Sequence, residues 1–313
     1  TRSVTSTITT GGQPQAIAMS PNGSQVFVAD YLNGTYKVIA TSSDTVVGTA
    51  AKPTSPRNCD NPTSIAYHPT GSPVYTGCDQ SVFAINSSTY THSWVTTGST
   101  SVADVAVSGD ASELVYAGGG HVIFFNSGWN PGVPENPRAV AIAYDGDTAY
   151  SANANGSVTS LYRPTATIAN WAVGTDLSDI VLRESDDRIY VTDRSANQLI
   201  VQELSTHTTL STFSVGTTPS ALAISPDGTR AYVVNIASNS VSVIDLTDGS
   251  GSSGGSQAVT YTLSLSAGEG ASCAPSEVSG RQDNWVTLPE SSACTNTARS
   301  TPSVLLGFAT TPD

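Results

Sequence analysis

Charge is scarce in this sequence. Only 12% of its 313 residues are Asp, Glu, Lys or Arg, about half of the roughly 25% usual for soluble domains. Lys37 and Lys52 are its lysines, and the net charge is -13. That balance excludes a nucleic-acid backbone as partner, because phosphates need clustered Lys and Arg. Long apolar runs are missing as well. No stretch reaches the ~18 consecutive apolar residues of a membrane-spanning helix. There is no Cys-x-x-Cys, which argues against a zinc ribbon or a thioredoxin-type site. The Gly-x-Ser-x-Gly string at Gly251–Gly255 lies inside a Gly/Ser run and not on a strand-to-helix turn, so it is no nucleophile elbow, and no Ser/His/Asp set is ordered by spacing. The run Gly118–Gly120 lacks the Lys and the helix of a phosphate-binding loop. No quinone- or haem-binding signature is present. Neither an initiator Met nor a signal peptide is visible at Thr1, so a processed or trimmed chain is expected.

What the chain does contain is the raw material of a globular fold. Hydrophobic residues make up 38%, and 27 glycines add to them, so disorder is excluded for the bulk of the chain. With so few charges, the surface must be built from Ser, Thr, Asn and Gly. The length allows one large domain or two, each able to bury a core. The cysteines form two local pairs, Cys59 with Cys78 and Cys273 with Cys294. Four cysteines allow three connectivities. Local pairing is favoured because each pair lies within one structural unit; free buried thiols are the alternative. Disulfides imply an oxidising, extracytoplasmic location.

A repeat decides the fold. Ala16-Ile17-Ala18-Met19-Ser20-Pro21-Asn22-Gly23 followed by Val26-Phe27-Val28-Ala29 returns as Ile65-Ala66-Tyr67-His68-Pro69-Thr70-Gly71 with Val74-Tyr75. Weaker copies begin at Val105, Ala141 and Ile180. The cleanest is Leu222-Ala223-Ile224-Ser225-Pro226-Asp227-Gly228 with Ala231-Tyr232-Val233-Val234-Asn235. The aromatic anchors Phe27, Tyr75, Tyr116, Tyr150, Tyr190 and Tyr232 recur about every 40 residues, the period of four-stranded propeller blades. Alternating β-branched runs punctuated by turn residues are the strand signature within each copy.

The ends of the repeat array also match. Thr5-Ser6-Thr7-Ile8-Thr9-Thr10-Gly11-Gly12-Gln13-Pro14 aligns with Leu210–Pro219, the junction of the fifth and sixth copies. The expectation is an all-β, six-bladed β-propeller over residues 1–247, with the N-terminal strand supplying the outer strand of the last blade. Such closure removes a sheet edge. Cys59 precedes the first strand of blade two and Cys78 follows its second; these antiparallel neighbours end on one face, so a disulfide is expected there. The chain resembles the YVTN-type β-propeller repeat family, with Tyr232-Val233-Val234-Asn235 and Val241-Ser242-Val243-Ile244-Asp245 as the closest matches. The resemblance implies a propeller and an extracellular or surface protein. It implies no single activity, because propellers host many.

Residues 248–257 read as a Gly/Ser linker. Residues 258–313 read as a small β module stapled by Cys273 and Cys294, with strands over Val259–Ser266, Trp285–Pro289 and Val304–Thr310. Their order resembles small β-grasp-like repeats of bacterial surface proteins. A module so small needs a staple. It stops at Asp313, where a further strand is expected, so continuation or cleavage of the native chain is expected there.

Candidate chemistry gathers on one face. Loops after the second strand of each blade, and those entering the first, open around the channel mouth. They carry Asp30, Tyr31, Asp79, Asp104, His121, Arg138, Asn153, Asp179, Asp193, Arg194 and Asn235. Asp104, Asn153, Asp179, Asp193 and Asn235 together would form an oxygen-ligand ring suited to calcium, a hard cation. Six-bladed lactonases and esterases bind calcium from such positions. The alternative is that turn Asp and Asn satisfy their own backbones. His121 follows three glycines, which allow a ligand close approach or simply make a tight turn. His68 reads as a turn residue, and His92 and His207 as surface residues near outer strands. Trp94, Trp129 and Trp171 read as buried between blades. Sequons stand at Asn22, Asn33, Asn86 and Asn155. The leading functional reading is a secreted or cell-surface scaffold whose propeller presents a rigid face to a protein or glycan, without catalytic residues or cofactor. The alternatives are a metal-dependent hydrolase or lactonase acting at the channel, and a structural subunit of an extracellular fibre or layer that self-assembles.

Overall fold

Each repeat folds as an up-and-down sheet because its apolar residues alternate and its turns carry Asn, Asp and Gly. The structure is a computed structural model, and it describes residues 8–54, 59–97, 101–133, 135–225, 227–246 and 259–262. Six sheets follow one another along the chain. Blade 1 comprises β1 (Pro14–Met19), β2 (Gln25–Asp30), β3 (Thr35–Ala40) and β4 (Thr45–Ala50). Blade 2 comprises β5 (Pro62–Tyr67), β6 (Val74–Cys78), β7 (Ser81–Ile85) and β8 (His92–Thr97). Blade 3 has β9 (Asp104–Val107), β10 (Leu114–Gly118) and β11 (His121–Phe124). Blade 4 comprises β12 (Pro137–Ile142), β13 (Thr148–Asn153), β14 (Ser157–Tyr162) and β15 (Thr167–Ala172). Blade 5 comprises β16 (Leu177–Arg183), β17 (Arg188–Asp193), β18 (Gln198–Glu203) and β19 (Thr209–Ser214). Blade 6 comprises β20 (Pro219–Ile224), β21 (Arg230–Asn235), β22 (Ser240–Asp245) and β23 (Val259–Thr262). All six aromatic anchors lie on the second strand of their blade, as the repeat requires.

Two edges differ from the sequence reading. The outer strand of blade 6 is β23, which pairs antiparallel with β22 through Val241↔Tyr261 and Val243↔Val259. The reading had assigned that place to the N-terminal strand, whose residues 1–7 lie outside the described residues. A chain segment that returns locally after a hairpin closes a far shorter loop than the distant N-terminus would. Val259-Thr260-Tyr261-Thr262 alternates as a strand must. In blade 3 the outer place is held by two isolated bridges, His121↔Gly132 and Phe124↔Trp129, instead of a full strand. Pro131 offers no N–H and Gly132 no side chain to pack, so this edge cannot propagate a ladder. The remainder of the expected C-terminal module, including Cys273 and Cys294, lies outside the described residues.

The core is divided among the gaps between blades. Phe27, Tyr36 and Val38 of blade 1 meet Val74, Phe83 and Ile85 of blade 2 in one fully buried cluster. Equivalent two-blade clusters follow between blades 2 and 3, 3 and 4, 4 and 5, and 5 and 6. Polar stitches accompany them. Tyr36 Oη meets Thr76 Oγ1 at 2.9 Å, and Thr63 Oγ1 donates to the Val102 carbonyl at 2.7 Å. Trp171 Nε1 donates to Gln202 Oε1 at 2.9 Å, and Ser178 Oγ to the Pro219 carbonyl at 2.9 Å. Cys59 and Cys78 are joined as a disulfide with Cα atoms 5.4 Å apart, as the strand geometry had suggested. It pins the segment entering β5 to the end of β6.

Candidate functional site

The innermost strand of each blade is a sheet edge, and its outward N–H groups face the central channel. In blades 1, 2, 4, 5 and 6 that strand carries a register shift after its first residue, between Pro14 and Ala16, Pro62 and Ser64, Pro137 and Ala139, Leu177 and Asp179, and Pro219 and Ala221. The bulge re-aims the following residue. At this ring position stand Ala16, Ser64, Asp104, Ala139, Asp179 and Ala221. Two of the six are carboxylates, and they are the chemistry of the channel.

Asp104 and Asp179 are held in the same way. Asp104 Oδ1 accepts the N–H of Val105 at 2.8 Å, and its Oδ2 accepts the N–H of Val140, on the next blade, at 2.9 Å. Asp179 Oδ1 accepts from Ile180 at 2.8 Å and Oδ2 from Leu222, again one blade on, at 2.7 Å. Both residues are half-buried. Burial pushes the Asp104 carboxyl up to about 7, and the charge of Asp179 pushes in the same direction against the two amides. Burial likewise raises Asp179 to about 7, opposed by the Leu222 and Ile180 amides. Two inner-strand carboxyls, one on blade 3 and one on blade 5, are thus pushed well above the usual carboxylate range by burial, a poise suited to proton transfer.

The other expected members of the ring turn away from it. Asn153 ends β13 and donates through Nδ2 to Ser157 Oγ and Thr159 Oγ1 at 3.0 and 2.9 Å. Asn235 ends β21 and donates to Ser240 Oγ and Ser242 Oγ at 3.2 and 3.0 Å. Asp193 ends β17 and accepts from the amides of Thr175, Ser195 and Ala196. Burial pushes the Asp193 carboxyl up, but the Thr175, Ala196 and Asp176 donors outweigh it and hold the group below the usual range. Asp30 occupies the same place in blade 1, capping Gln13, Leu32 and Asn33. Asn153, Asp193 and Asp30 are held by hydrogen bonds within their own blades, and Asn235 is held there through Nδ2 while its buried Oδ1 has no hydrogen-bond partner among the described residues. Calcium takes about six to eight oxygens, and the ring position offers two carboxylates beside Ala16, Ala139 and Ala221. The donor set does not fit calcium. Among the described residues no group of three or more His, Cys, Asp or Glu converges.

The remaining candidates are structural. His121 Nδ1 pairs with Asn130 Oδ1 at 3.0 Å on the outer side of blade 3. A Cβ on Gly118 would stand 2.0 Å from the Ser101 carbonyl, so the glycine run lets chain pass chain. Arg138 forms an ion pair with Asp176 at the mouth. His68 holds its turn through Thr70. Trp171 stacks flat on His207, with ring centroids 3.7 Å apart, and Trp129 packs on Phe124. Trp94 is 47% exposed, because β8 is an outer strand with nothing described over its outward face; the expectation of burial fails there. The sequence reading missed Glu113, which is buried and accepts from the amides of Asn126 and Ser127. Its signal is a lone acid directly before the apolar run Leu114–Tyr116.

Comparison with known proteins places this geometry in context. The family described as "Lactonase, 7-bladed beta-propeller" matches residues 148–261, from β13 through most of β23. Solved structures share the fold. A putative 6-phosphogluconolactonase from Bacteroides fragilis is 14% identical with a TM-score of 0.64, covering 79% of this chain and 82% of its own. Kuenenia stuttgartiensis hydrazine synthase is 18% identical with a TM-score of 0.64, covering 77% and 79%. The Myceliophteria thermophila Cps50 (Swd1) β-propeller domain is 13% identical with a TM-score of 0.65, covering 79% and 87%. At these identities the likeness is one of fold. No curated protein matches the chain.

Proposed function

We propose that the protein is a hydrolase of small lactones or esters, acting where Asp104 and Asp179 line the channel. The observation that carries this reading is the placing of Asp104 and Asp179 at the same inner-strand position of blades 3 and 5, each half-buried and with its carboxyl raised to about 7. Perturbed pairs of this kind cluster at functional sites. The family match over residues 148–261 and the likeness to a putative lactonase support the same class. Like charges that repel favour a state in which the pair holds one proton. The ionised member takes a proton from water as its oxygen attacks the ester carbonyl. The protonated member gives its proton to the departing alkoxide as the C–O bond breaks. Water is consumed, and a hydroxy acid (or an acid and an alcohol) is released.

The test is turnover of γ- and δ-lactones and of p-nitrophenyl acetate from pH 5 to 9 by the wild type and by Asp104→Asn/Asp179→Asn. A bell-shaped rate profile centred near neutrality, lost in the double variant while its circular dichroism stays unchanged, is the expected result. Equal rates in both proteins overturn the reading.

A second reading is a binding scaffold in an extracytoplasmic compartment. It is favoured by Leu32 and Ile236, 69% and 41% exposed in mouth-side turns of blades 1 and 6, and by the Cys59–Cys78 disulfide, which suits an oxidising compartment. Capture of a protein or glycan that Leu32→Asp/Ile236→Asp abolishes, without hydrolysis, would favour it.

A further inference from the structure

Ile17, Ile65, Val105, Val140, Ile180 and Leu222 each follow the ring position of their blade, and their amides form one level of the channel wall. The turns of blades 1 and 2 fix which way the first two point. Ser20 donates its N–H to the Gln25 carbonyl at 2.8 Å, and His68 to the Pro73 carbonyl at 2.9 Å. Bonded and non-bonded pairs alternate back along an antiparallel ladder. Ile17↔Val28 and Ile65↔Thr76 are therefore non-bonded pairs. Their N–H groups leave the sheet edge toward the channel, as those of Val105, Val140, Ile180 and Leu222 do.

Four of these six amides are taken. Asp104 accepts from Val105 in its own blade and from Val140 in the next, and Asp179 accepts from Ile180 and Leu222. Ile17 and Ile65 remain, and they too stand on consecutive blades. The residue placed to bridge them is Ala16. It packs with Ile65 against the cluster between blades 1 and 2. Strand β1 packs on β5 as β9 packs on β12 and β16 on β20. Ala16 ends at a methyl where Asp104 and Asp179 carry a carboxylate. Ser64, the ring residue of blade 2, does not stand in for it, since its buried Oγ has no hydrogen-bond partner among the described residues. Ala16, Ile17 and Ile65 are each half-buried rather than sealed in.

We propose that the Ile17 and Ile65 amides form a socket for the carboxylate of a small ligand in the channel, which takes the place of the side chain that Ala16 lacks. One ligand oxygen accepts from Ile17 and the other from Ile65. Asp104 and Asp179 bridge the equivalent amides in this way, with Oδ2 reaching the next blade at 2.9 and 2.7 Å. A flat, singly charged carboxylate matches that pair, whereas a doubly charged anion meets the field of a chain whose net charge is -13. Occupation needs no turnover at Asp104 or Asp179, so the socket and the proposed hydrolysis stand or fall separately.

Acetate, the free counterpart of the missing side chain, is the probe. The full chain carrying isotope-labelled isoleucine reports Ile17, Ile65 and Ile180 together by nuclear magnetic resonance. Sodium acetate at neutral pH should move the amide signals of Ile17 and Ile65 downfield and saturably. Ile180, whose acceptor is Asp179, should stay in place. Sodium chloride at equal ionic strength should move none of them. In Ala16→Asp the first two signals should start downfield and no longer respond to acetate. Absence of a saturable shift at Ile17 and Ile65 overturns the proposal. So does an equal shift with chloride, which would mark an unselective anion site, and so does a full response that persists in Ala16→Asp. The wild-type titration decides even if the variant does not fold.

Discussion

Asp179 on blade 5 and Leu222 on blade 6 share a hydrogen bond of 2.7 Å from amide to carboxylate. Asp104 and Val140 repeat the arrangement two blades earlier at 2.9 Å. One side chain thus terminates an open sheet edge, ties two blades and carries the charge of the channel. Removing it should show in stability as well as in chemistry.

Asp179→Ala leaves the N–H groups of Ile180 and Leu222 without their acceptor. Each unsatisfied buried donor costs about 1–3 kcal/mol, so a thermal midpoint lower by several degrees is expected. Asp179→Asn keeps an acceptor and should lose less. Differential scanning calorimetry of the two variants at pH 5 checks the order.

The pH dependence follows from the raised pair. Their folded values near 7 lie above the unfolded value of about 3.9. The unfolded state therefore releases these protons first, and stability falls as pH rises from about 4 to about 7. Asp104→Asn/Asp179→Asn should remove that contribution. Urea midpoints of wild type and variant should diverge across this window in the variant's favour and run parallel above it.

Reduction of Cys59–Cys78 frees a loop whose ends are 19 residues apart, worth about 3 kcal/mol by loop entropy. Cys59→Ser/Cys78→Ser should lower the urea midpoint accordingly. The wild type under dithiothreitol should approach the variant, and a gap that persists would show the bond is not reached by reductant.

His207→Ala uncovers one face of Trp171, since the two rings lie parallel within 3°. Acrylamide quenching of tryptophan emission should rise, with a stability loss of about 1 kcal/mol. Gln202→Ala removes the indole N–H acceptor and should shift the emission maximum instead.

Period carried most of what was legible in the chain. The aromatic anchors and the Ser-Pro-Asp-Gly type turns placed six second strands correctly, because alternation and turn chemistry are local properties. The disulfide followed from which strand ends share a face. Edges were harder to read. Whether Thr5–Thr10 or Val259–Thr262 completes blade 6 depends on a pairing between distant segments, for which both sequences alternate equally well. The site divided on the same principle. Asp104 and Asp193 both stand near the mouth, but Asp104 begins an inner strand and caps a neighbouring blade, while Asp193 ends a second strand and caps its own hairpin. Residue type alone does not separate these roles; the position within the blade does, once the register is known.

The stitches between blades all run from one repeat to the next: Tyr36 to Thr76, Thr63 to Val102, Asp104 to Val140, Trp171 to Gln202, Ser178 to Pro219. None of these five contacts spans more than a single repeat. A duplicated copy spliced into the array would therefore arrive with both halves of its own seams, donor toward one neighbour and acceptor toward the other. Lineages can lengthen or shorten such a ring by whole units without redesigning any existing boundary, and only the two free ends must find a new way to meet.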